Sequence, residues 1–512
     1  MMAKEFIAVL DFGGQYSHLI TRRIRECQVY SELLPYTVSA DEVSKLDPKG
    51  IVLSGGPASV YEDHSPNCDP RIFAIGVPIL GICYGLQLMV QMLGGKVKAT
   101  NRREFGKTEL RVADRSDLLR NLNPTTNVWM SHGDCAEVLP VGFEVLASSD
   151  SCNMAAIRKS SHKLYGVQFH PEVAHTVQGV DVIRNFVINI CGCSPSWTPR
   201  SIIDTSIENI SAVVGSGAVL VAVSGGIDST TVAALVRRAV HDRLTCIFVN
   251  HGLLRKNEVD LVMNALKELE LNVRYVDATD RFLKRLAGVI DPEMKRKIIG
   301  EEFISVFDEE STKLGTFEFL AQGTLYPDVI ESGGIGSVAS RIKTHHNVGG
   351  IPQWSKFKII EPLKFLYKDE VRKIASELGI SDSIVRAHPF PGPGLAVRII
   401  GEVTGEKLRI CREASYIVEE TLKHHKLYDA LWQAFAVVGE DKAVGVLGDE
   451  RKLGQMVTIR VVTSFDGMTA DWARLPDNVL EEMSTRITDE VRGVTWVSYS
   501  VTSKPPSTIE PC

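Results

Sequence analysis

The chain has 512 residues, against the roughly 100–200 of a typical domain, so about three folding units are expected. Its 44% hydrophobic and 23% charged residues exclude a disordered, collagen-like or small disulfide-stapled protein. With 57 basic against 63 acidic residues and a net charge of -6, a broadly basic nucleic-acid binder is excluded as well, which leaves only a local basic groove open.

Residues Phe6–Leu10, Ile51–Leu53 and Val77–Ile82 are short apolar runs that end in glycine-rich turns, the pattern of buried parallel strands. After the third, Leu86, Met89, Val90 and Leu93 recur at i, i+3, i+4 and i+7 and predict a one-faced helix. The most apolar window, 72–95, contains Pro78, Gln87 and Gln91 and reads as strand, turn and helix rather than a membrane span. Residues 191–200 are rich in proline and small side chains and are expected to be a linker.

A second α/β unit is predicted from the strand Val219–Val223, the loop Ser224-Gly225-Gly226, a helix with Val232, Leu235, Val236, Ala239 and Val240 on one face, and a strand at Thr245–Val249. His388–Gly394, with three prolines and two glycines, breaks the chain again. Helices over about 406–424 and 477–492 and strands at Val457–Val462 and Val494–Val501 then predict a smaller α+β part. The expected fold class is therefore α/β: two parallel-sheet domains, 5–196 and 197–387, plus a small α+β domain, 388–512.

None of the ten cysteines forms a Cys-x-x-Cys pair, and the segment after Met1 lacks the long apolar core of a secretory signal. Reduced, packed thiols in a cytoplasmic protein are expected.

Two constellations carry chemistry. Gly81-Ile82-Cys83-Tyr84-Gly85 lies at a predicted strand-to-helix turn, the G-x-nucleophile-x-G elbow with cysteine as nucleophile. The helix N-terminus there favours a thiolate, whereas a packed cysteine is the plainer alternative. His170 and Glu172 flank Pro171 in an extended segment, so both side chains are expected on one face, as base and orienter, with a surface turn as the alternative. Backbone amides of Gly56, in Ser54-Gly-Gly-Pro57, and of Tyr84 are candidates for an oxyanion hole. These segments, with Asp11–Tyr16, Ser131–Asp134 and Phe169–Val173, resemble the class I glutamine amidotransferases. That resemblance implies hydrolysis of glutamine to glutamate and ammonia through a thioester on Cys83.

Ser224, Gly225, Gly226, Ile227, Asp228, Ser229 and Thr230 form a glycine-rich loop at a helix N-terminus, a phosphate cradle rather than a Walker A loop, since no lysine precedes Ser229. Asp228 beside phosphate calls for an intervening cation, so Mg²⁺ held with ATP is expected there; a flexible turn with a capping serine is the alternative. The loop resembles that of the ATP pyrophosphatases. Together with Phe248–Arg255, Lys295–Gly300, Ala321–Ser332, Lys343–Asn347, His388–Gly394 and Lys504–Glu510, the whole chain resembles the glutamine-hydrolysing GMP synthetase family.

That resemblance implies that ATP-Mg²⁺ adenylylates xanthosine monophosphate (XMP) at O2 in the second domain, and that ammonia then displaces AMP to give GMP. No organic cofactor, nucleic acid or membrane partner is implied. It further implies a homodimer built through 388–512, and XMP contacts from Lys504, with Arg255 and Glu510 as weaker candidates. The strand ending at Val249 is expected to border adenine. Lys295-Arg296-Lys297 and Lys343 read either as a lid over the phosphates or as solvated helix faces, and the adjacent His345 and His346 are not read as metal ligands. Three departures from the family pattern stand out: Asn250 replaces an aspartate, Gly14 replaces a serine with an expected neutral effect, and Pro511-Cys512 follow Glu510 where a tryptophan and an acid are usual. The rival readings are a nucleotide-sensing glutaminase and another ammonia-using adenylylating ligase.

Overall fold

The structure is a computed structural model that describes residues 5–331, 357–447, 450–464, 467 and 469–512. The chain divides into two compact units, Met1–Ile202 and Ile203–Cys512. The break falls inside the helix Pro199–Val214, just beyond the expected linker. Residues before it are anchored to the first unit, since Trp197 packs on Tyr30 with ring centroids 4.7 Å apart.

In the first unit the strands are β1 (Phe6–Asp11), β2 (Tyr30–Pro35), β3 (Gly50–Leu53), β4 (Ile79–Ile82), β5 (Lys96–Val112), β6 (Thr125–Val138), β7 (Glu144–Ser148), β8 (Ala156–Lys159) and β9 (Leu164–Val167). They form one sheet in the order β2-β1-β3-β4-β9-β8-β7-β5-β6. The five strands β2, β1, β3, β4 and β9 are parallel, as expected of apolar runs buried on both faces. The other four join antiparallel, an extension the apolar-run pattern did not anticipate. Strand order reverses at β1, between β2 and β3. In open α/β sheets the crevice beyond the carboxyl ends of strands at such a reversal is where ligands bind.

The second unit repeats that logic. Strands β10 (Val219–Val223), β11 (Leu244–Asn250), β12 (Val273–Asp277), β13 (Phe319–Ala321) and β14 (Lys358–Ile360) form a parallel sheet in the order β12-β11-β10-β13-β14. The reversal lies at β10, which carries the glycine-rich loop at its carboxyl end. A second sheet combines β15 (Gln433–Leu447), β16 (Glu450–Thr463), β17 (Asp471–Trp472) and β18 (Val494–Tyr499). The helix Gly405–His424 is capped by the Thr404 side chain and buries Leu408, Cys411, Ala414, Val418 and Leu422. A single apolar core links Leu220, Ile247 and Leu320 of the first sheet with Ala396, Val418, Ala436, Ile459 and Val494.

All ten cysteines are free, and burial pushes the thiols of Cys27, Cys68 and Cys193 up to about 11 and those of Cys246 and Cys411 up to about 12. Among the described residues no helix is long and apolar enough to cross a membrane.

Lys295 corrects an expectation. It is fully buried in the helix Pro292–Leu314 and donates to the carbonyl oxygen of Ile399 at 2.7 Å, so it is neither lid nor solvated face. A lysine enters a core only where acceptors replace its hydration, and the Ile399 carbonyl supplies that here. Lys343, His345 and His346 lie outside the described residues.

Candidate functional site

In the first unit the motif residues converge at the carboxyl ends of parallel strands. Cys83 follows β4 with φ 53° and ψ -106°, a conformation rare for a side chain larger than glycine, and it opens the helix Tyr84–Met92. The flanking glycines make that elbow possible: a Cβ on Gly81 would lie 2.5 Å from the Gly85 carbonyl carbon, and one on Gly85 would lie 2.3 Å from the Leu53 oxygen.

His170 follows β9, the neighbour of β4. Its Nδ1 meets Glu172 Oε1 at 2.7 Å, with Glu172 fully buried. Gly55 lies against both partners, since a Cβ there would stand 3.2 Å from His170 Cε1 and 3.9 Å from Cys83 Cβ. The Cys83 Sγ lies 3.8 Å from the Ser131 carbonyl oxygen and 3.7 Å from Gln168 Nε2. Burial opposes a charged His170, but the Glu172 carboxylate and the Cys83 sulfur together raise it well above the ordinary imidazole value. The stabilisation from the charged imidazole is therefore fully present below about pH 6.5 and is lost as pH rises through the raised value. With Glu172→Gln, burial is opposed by less charge and the His170 titration midpoint is expected to fall. Histidine-labelled NMR measures it, and an unchanged midpoint would contradict the account.

The Tyr84 amide is the first of its helix, and among the described residues neither it nor the Gly56 amide has a hydrogen-bond acceptor. One donor is thus on the residue that follows Cys83, and the other is on the loop after β3, where a Cβ on Gly56 would lie 3.2 Å from the Tyr84 ring. Ser54 Oγ accepts from the Phe12 amide at 3.0 Å and from Ser17 Oγ at 3.2 Å, which ties the loops after β1 and β3 together. Gly14 is not interchangeable with serine in this backbone: a Cβ there would lie 2.4 Å from the Gly55 oxygen, so the loop would have to shift.

In the second unit, Ser224 through Thr230 run from β10 into the helix Ile227–Val240. Gly225 has φ 81°, and a Cβ there would lie 2.3 Å from Val262 Cγ2. The hydroxyls of Ser224 and Ser229 are 3.1 Å apart, and Thr230 Oγ1 donates to the Gly226 oxygen at 2.9 Å. Asp228 Oδ2 accepts from Lys368 Nζ at 2.6 Å, whereas its buried Oδ1 has no partner among the described residues. A carboxylate with an orphaned oxygen in a glycine-rich loop at a helix N-terminus fits a divalent cation. Lys368 was not found from sequence. It lies 140 residues from Asp228, and no local spacing marks it. Asn250, at the end of β11, donates to Tyr275 Oη at 3.1 Å and accepts from the Gly252 amide at 3.0 Å.

Arg255 and Glu510 come together around Phe390. The Arg255 guanidinium lies 4.8 Å and that of Arg398 5.0 Å from its ring centroid. Arg398 grips Glu510 with two hydrogen bonds of 3.1 Å, and Gln433 Nε2 adds a third at 3.1 Å. Arg255 is paired with Glu258 at 2.9 Å and faces Glu419 at 3.6 Å. Arg398, 2% exposed in the apolar run Leu395–Ile400, had one available signal: a lone charge among apolar residues must be buried and paired. Lys504 donates to the Gly467 oxygen at 2.9 Å and lines a cleft of about 630 Å³ with Thr463, Ser464, Asp471 and Ser503.

Comparison with known proteins follows the same division. Residues 8–190 match the class-I glutamine amidotransferase family, 201–298 the NAD synthase family, and 420–511 the GMP synthase C terminal domain. A GMP synthase [glutamine-hydrolyzing] of Synechococcus sp. is 54% identical over 99% of this chain and 96% of its own length. One of Caldanaerobacter subterraneus subsp. tengcongensis is 55% identical over 99% of both chains. A solved structure of a GMP synthase subunit from Thermoplasma acidophilum, so described, is 33% identical, with TM-score 0.33, over 36% of this chain and 94% of that one. With identity above one half over nearly its full length, the chain belongs to the glutamine-hydrolysing GMP synthase family of ligases.

Proposed function

We propose that the chain aminates XMP to GMP with nitrogen from glutamine, using Cys83, His170 and Glu172 in the first unit and Ser224–Thr230 in the second. The observation that carries this reading is that one chain holds both a thiol–imidazole–carboxylate elbow and a phosphate cradle with an unpartnered carboxylate oxygen.

The Cys83 thiolate attacks the side-chain carbonyl of glutamine. The amides of Gly56 and Tyr84 hold the resulting oxyanion, and His170 gives its proton to the departing ammonia. His170 then takes a proton from water, which cleaves the thioester to glutamate. Glu172 keeps the imidazole oriented and stabilises its charged form.

In the second unit the loop amides and the hydroxyls of Ser224, Ser229 and Thr230 hold the pyrophosphate portion of ATP, and β11, ending beside the loop, borders adenine. Asp228 would hold Mg²⁺, which offsets phosphate charge as pyrophosphate departs. Lys368 neutralises Asp228 before the nucleotide arrives and becomes available to the phosphates afterwards. XMP O2 attacks the α-phosphorus and pyrophosphate leaves; ammonia adds at C2 and AMP is expelled. An amide-like oxygen is a poor leaving group until adenylylated, which is why ATP is spent at this position. Residues 197–387, nearly all in the second unit, are read as the synthetase part, and 388–512 as the part that forms a homodimer and binds XMP through Lys504 and Glu510, with Arg255 of the synthetase part as a further contact. A cytoplasmic setting suits these small soluble substrates.

The test supplies glutamine, ATP, Mg²⁺ and XMP and identifies the products. GMP, glutamate, AMP and pyrophosphate in equal amounts are expected, and AMP with pyrophosphate but no GMP would reject XMP as acceptor.

A further inference from the structure

At the end of the helix Gly405–His424, two adjacent histidines and a glutamate from the helix Asp477–Glu490 converge. His425 Nε2 lies 2.7 Å from Glu482 Oε2, and His424 Nδ1 lies 4.0 Å from Glu482 Oε1. The two imidazoles thus face different oxygens of one carboxylate, and one ligand atom from each of the three residues lies within 4.8 Å of the other two.

Adjacent residues in mid-helix diverge by about 100°, which would send two histidines apart. Here His425 is the residue that caps the helix, with φ -81° and ψ 4°, and the two rings stand 5.0 Å apart at 67°. The chain end of the helix lets both nitrogens turn toward the neighbouring helix.

We propose that His424, His425 and Glu482 bind one late first-row divalent cation, zinc being the biologically common one, and that it staples the end of Gly405–His424 to Asp477–Glu490. Two imidazole nitrogens and one carboxylate oxygen, with water at the fourth position, are a recurring zinc donor set. Zinc–ligand distances near 2.0–2.1 Å place tetrahedral ligand atoms roughly 3.4 Å apart. The 2.7 Å contact between His425 and Glu482 would open by well under an ångström, and the remaining separations, all within 4.8 Å, would close toward that value as the exposed His424 ring turns.

The scaffold is fixed independently of the metal. Arg486, one turn along from Glu482, donates to Glu420 Oε2 at 2.5 Å and Thr421 Oγ1 at 3.2 Å on the facing helix. Val479, Met483 and Ile487 on its inner face are buried. The three residues lie at the C-terminal end of Gly405–His424, the negative end of the helix dipole, which favours a cation. Two cationic neighbours are occupied: Lys423 lies 3.8 Å from Glu419 and 4.7 Å from the Tyr428 ring centroid, and Arg486 also bonds Glu490 at 2.7 Å. An ion pair at a helix end would need only His425; it gives no reason for His424 to face the second oxygen.

The test uses the full chain, stripped of metal by chelation, held in excess Mg²⁺ to saturate hard oxygen sites, then exposed to Zn²⁺ or Co²⁺ and desalted. One equivalent of zinc per chain and the visible bands of tetrahedral Co²⁺ are expected. His424→Gln and Glu482→Gln should each weaken binding about 100-fold, at least what loss of an outer partner costs elsewhere. His424 is 75% exposed and its replacement leaves the His425–Glu482 contact, so this variant is expected to fold, with circular dichroism as the check. A parent that retains no metal overturns the proposal, and so do metal content and spectrum that persist unchanged in both variants.

Discussion

Replacing Cys83 by alanine is expected to abolish glutamine-dependent GMP formation, by about 10⁴-fold or more, while formation from added ammonium salt continues at the parent rate. Loss of the nucleophile in comparable triads has effects of that size, because base and orienter contribute little without an atom to activate. The contrast between nitrogen sources follows from the division of the chain: Cys83 belongs to Met1–Ile202, and the loop Ser224–Thr230, proposed to hold ATP, to Ile203–Cys512. Alanine fits the site without added bulk, since Cys83 is buried and its contacts of 3.7 and 3.8 Å with Gln168 and Ser131 are long. Parallel assays with glutamine and with ammonium at alkaline pH, where free ammonia is plentiful, separate the two reactions. Survival of the glutamine-dependent rate would assign the nucleophile elsewhere.

Asp228→Ala should have the opposite pattern. Synthesis is expected to fall at least about 100-fold with either nitrogen source, because the loop loses the carboxylate that offsets phosphate charge through a cation. Hydrolysis of glutamine by the first unit should not require this residue directly. The fold is expected to survive: Asp228 is half-buried, and the Lys368 ammonium it leaves behind is 41% exposed and remains solvated. Asp228→Asn refines the result, because it keeps the shape and one acceptor while removing the charge. Steady-state rates over a range of Mg²⁺ concentrations check this, and activity that returned fully in the Asn variant would show that charge at position 228 is dispensable.

The parts of each site that sequence made legible are those encoded by local backbone geometry. The elbow needs glycines at fixed offsets from Cys83, and His170 and Glu172 need only an extended dipeptide spacing between them. The phosphate loop needs small residues between a strand and a helix. Even element boundaries followed where a cap marks them: the helix expected near 406 begins at Gly405, beside its Thr404 cap. What stayed hidden are pairings set by packing over long separations. Lys368 meets Asp228 across 140 residues and Arg398 meets Glu510 across 112, and neither partner carries a periodic or spacing signal for the other. Lys295 is hidden differently. In Lys295-Arg296-Lys297 it reads as one of three equivalent surface charges, and only the fold makes the inner one an acceptor-seeking core residue. The antiparallel strands β6 and β7 escaped because their exposed residues break up the continuous apolar runs that mark a doubly covered sheet.

The apolar interior that runs from Leu220 to Val494 decides how this polypeptide can be partitioned. A gene cut just before the helix Pro199–Val214, close to the boundary between the two units, would spare that interior. A cut near His388 would bare facing hydrophobic surfaces on both products, inviting aggregation rather than folding. On the proposed function, nucleotide activation and acceptor binding would be inherited as one piece, with the glutamine-hydrolysing unit as the exchangeable accessory.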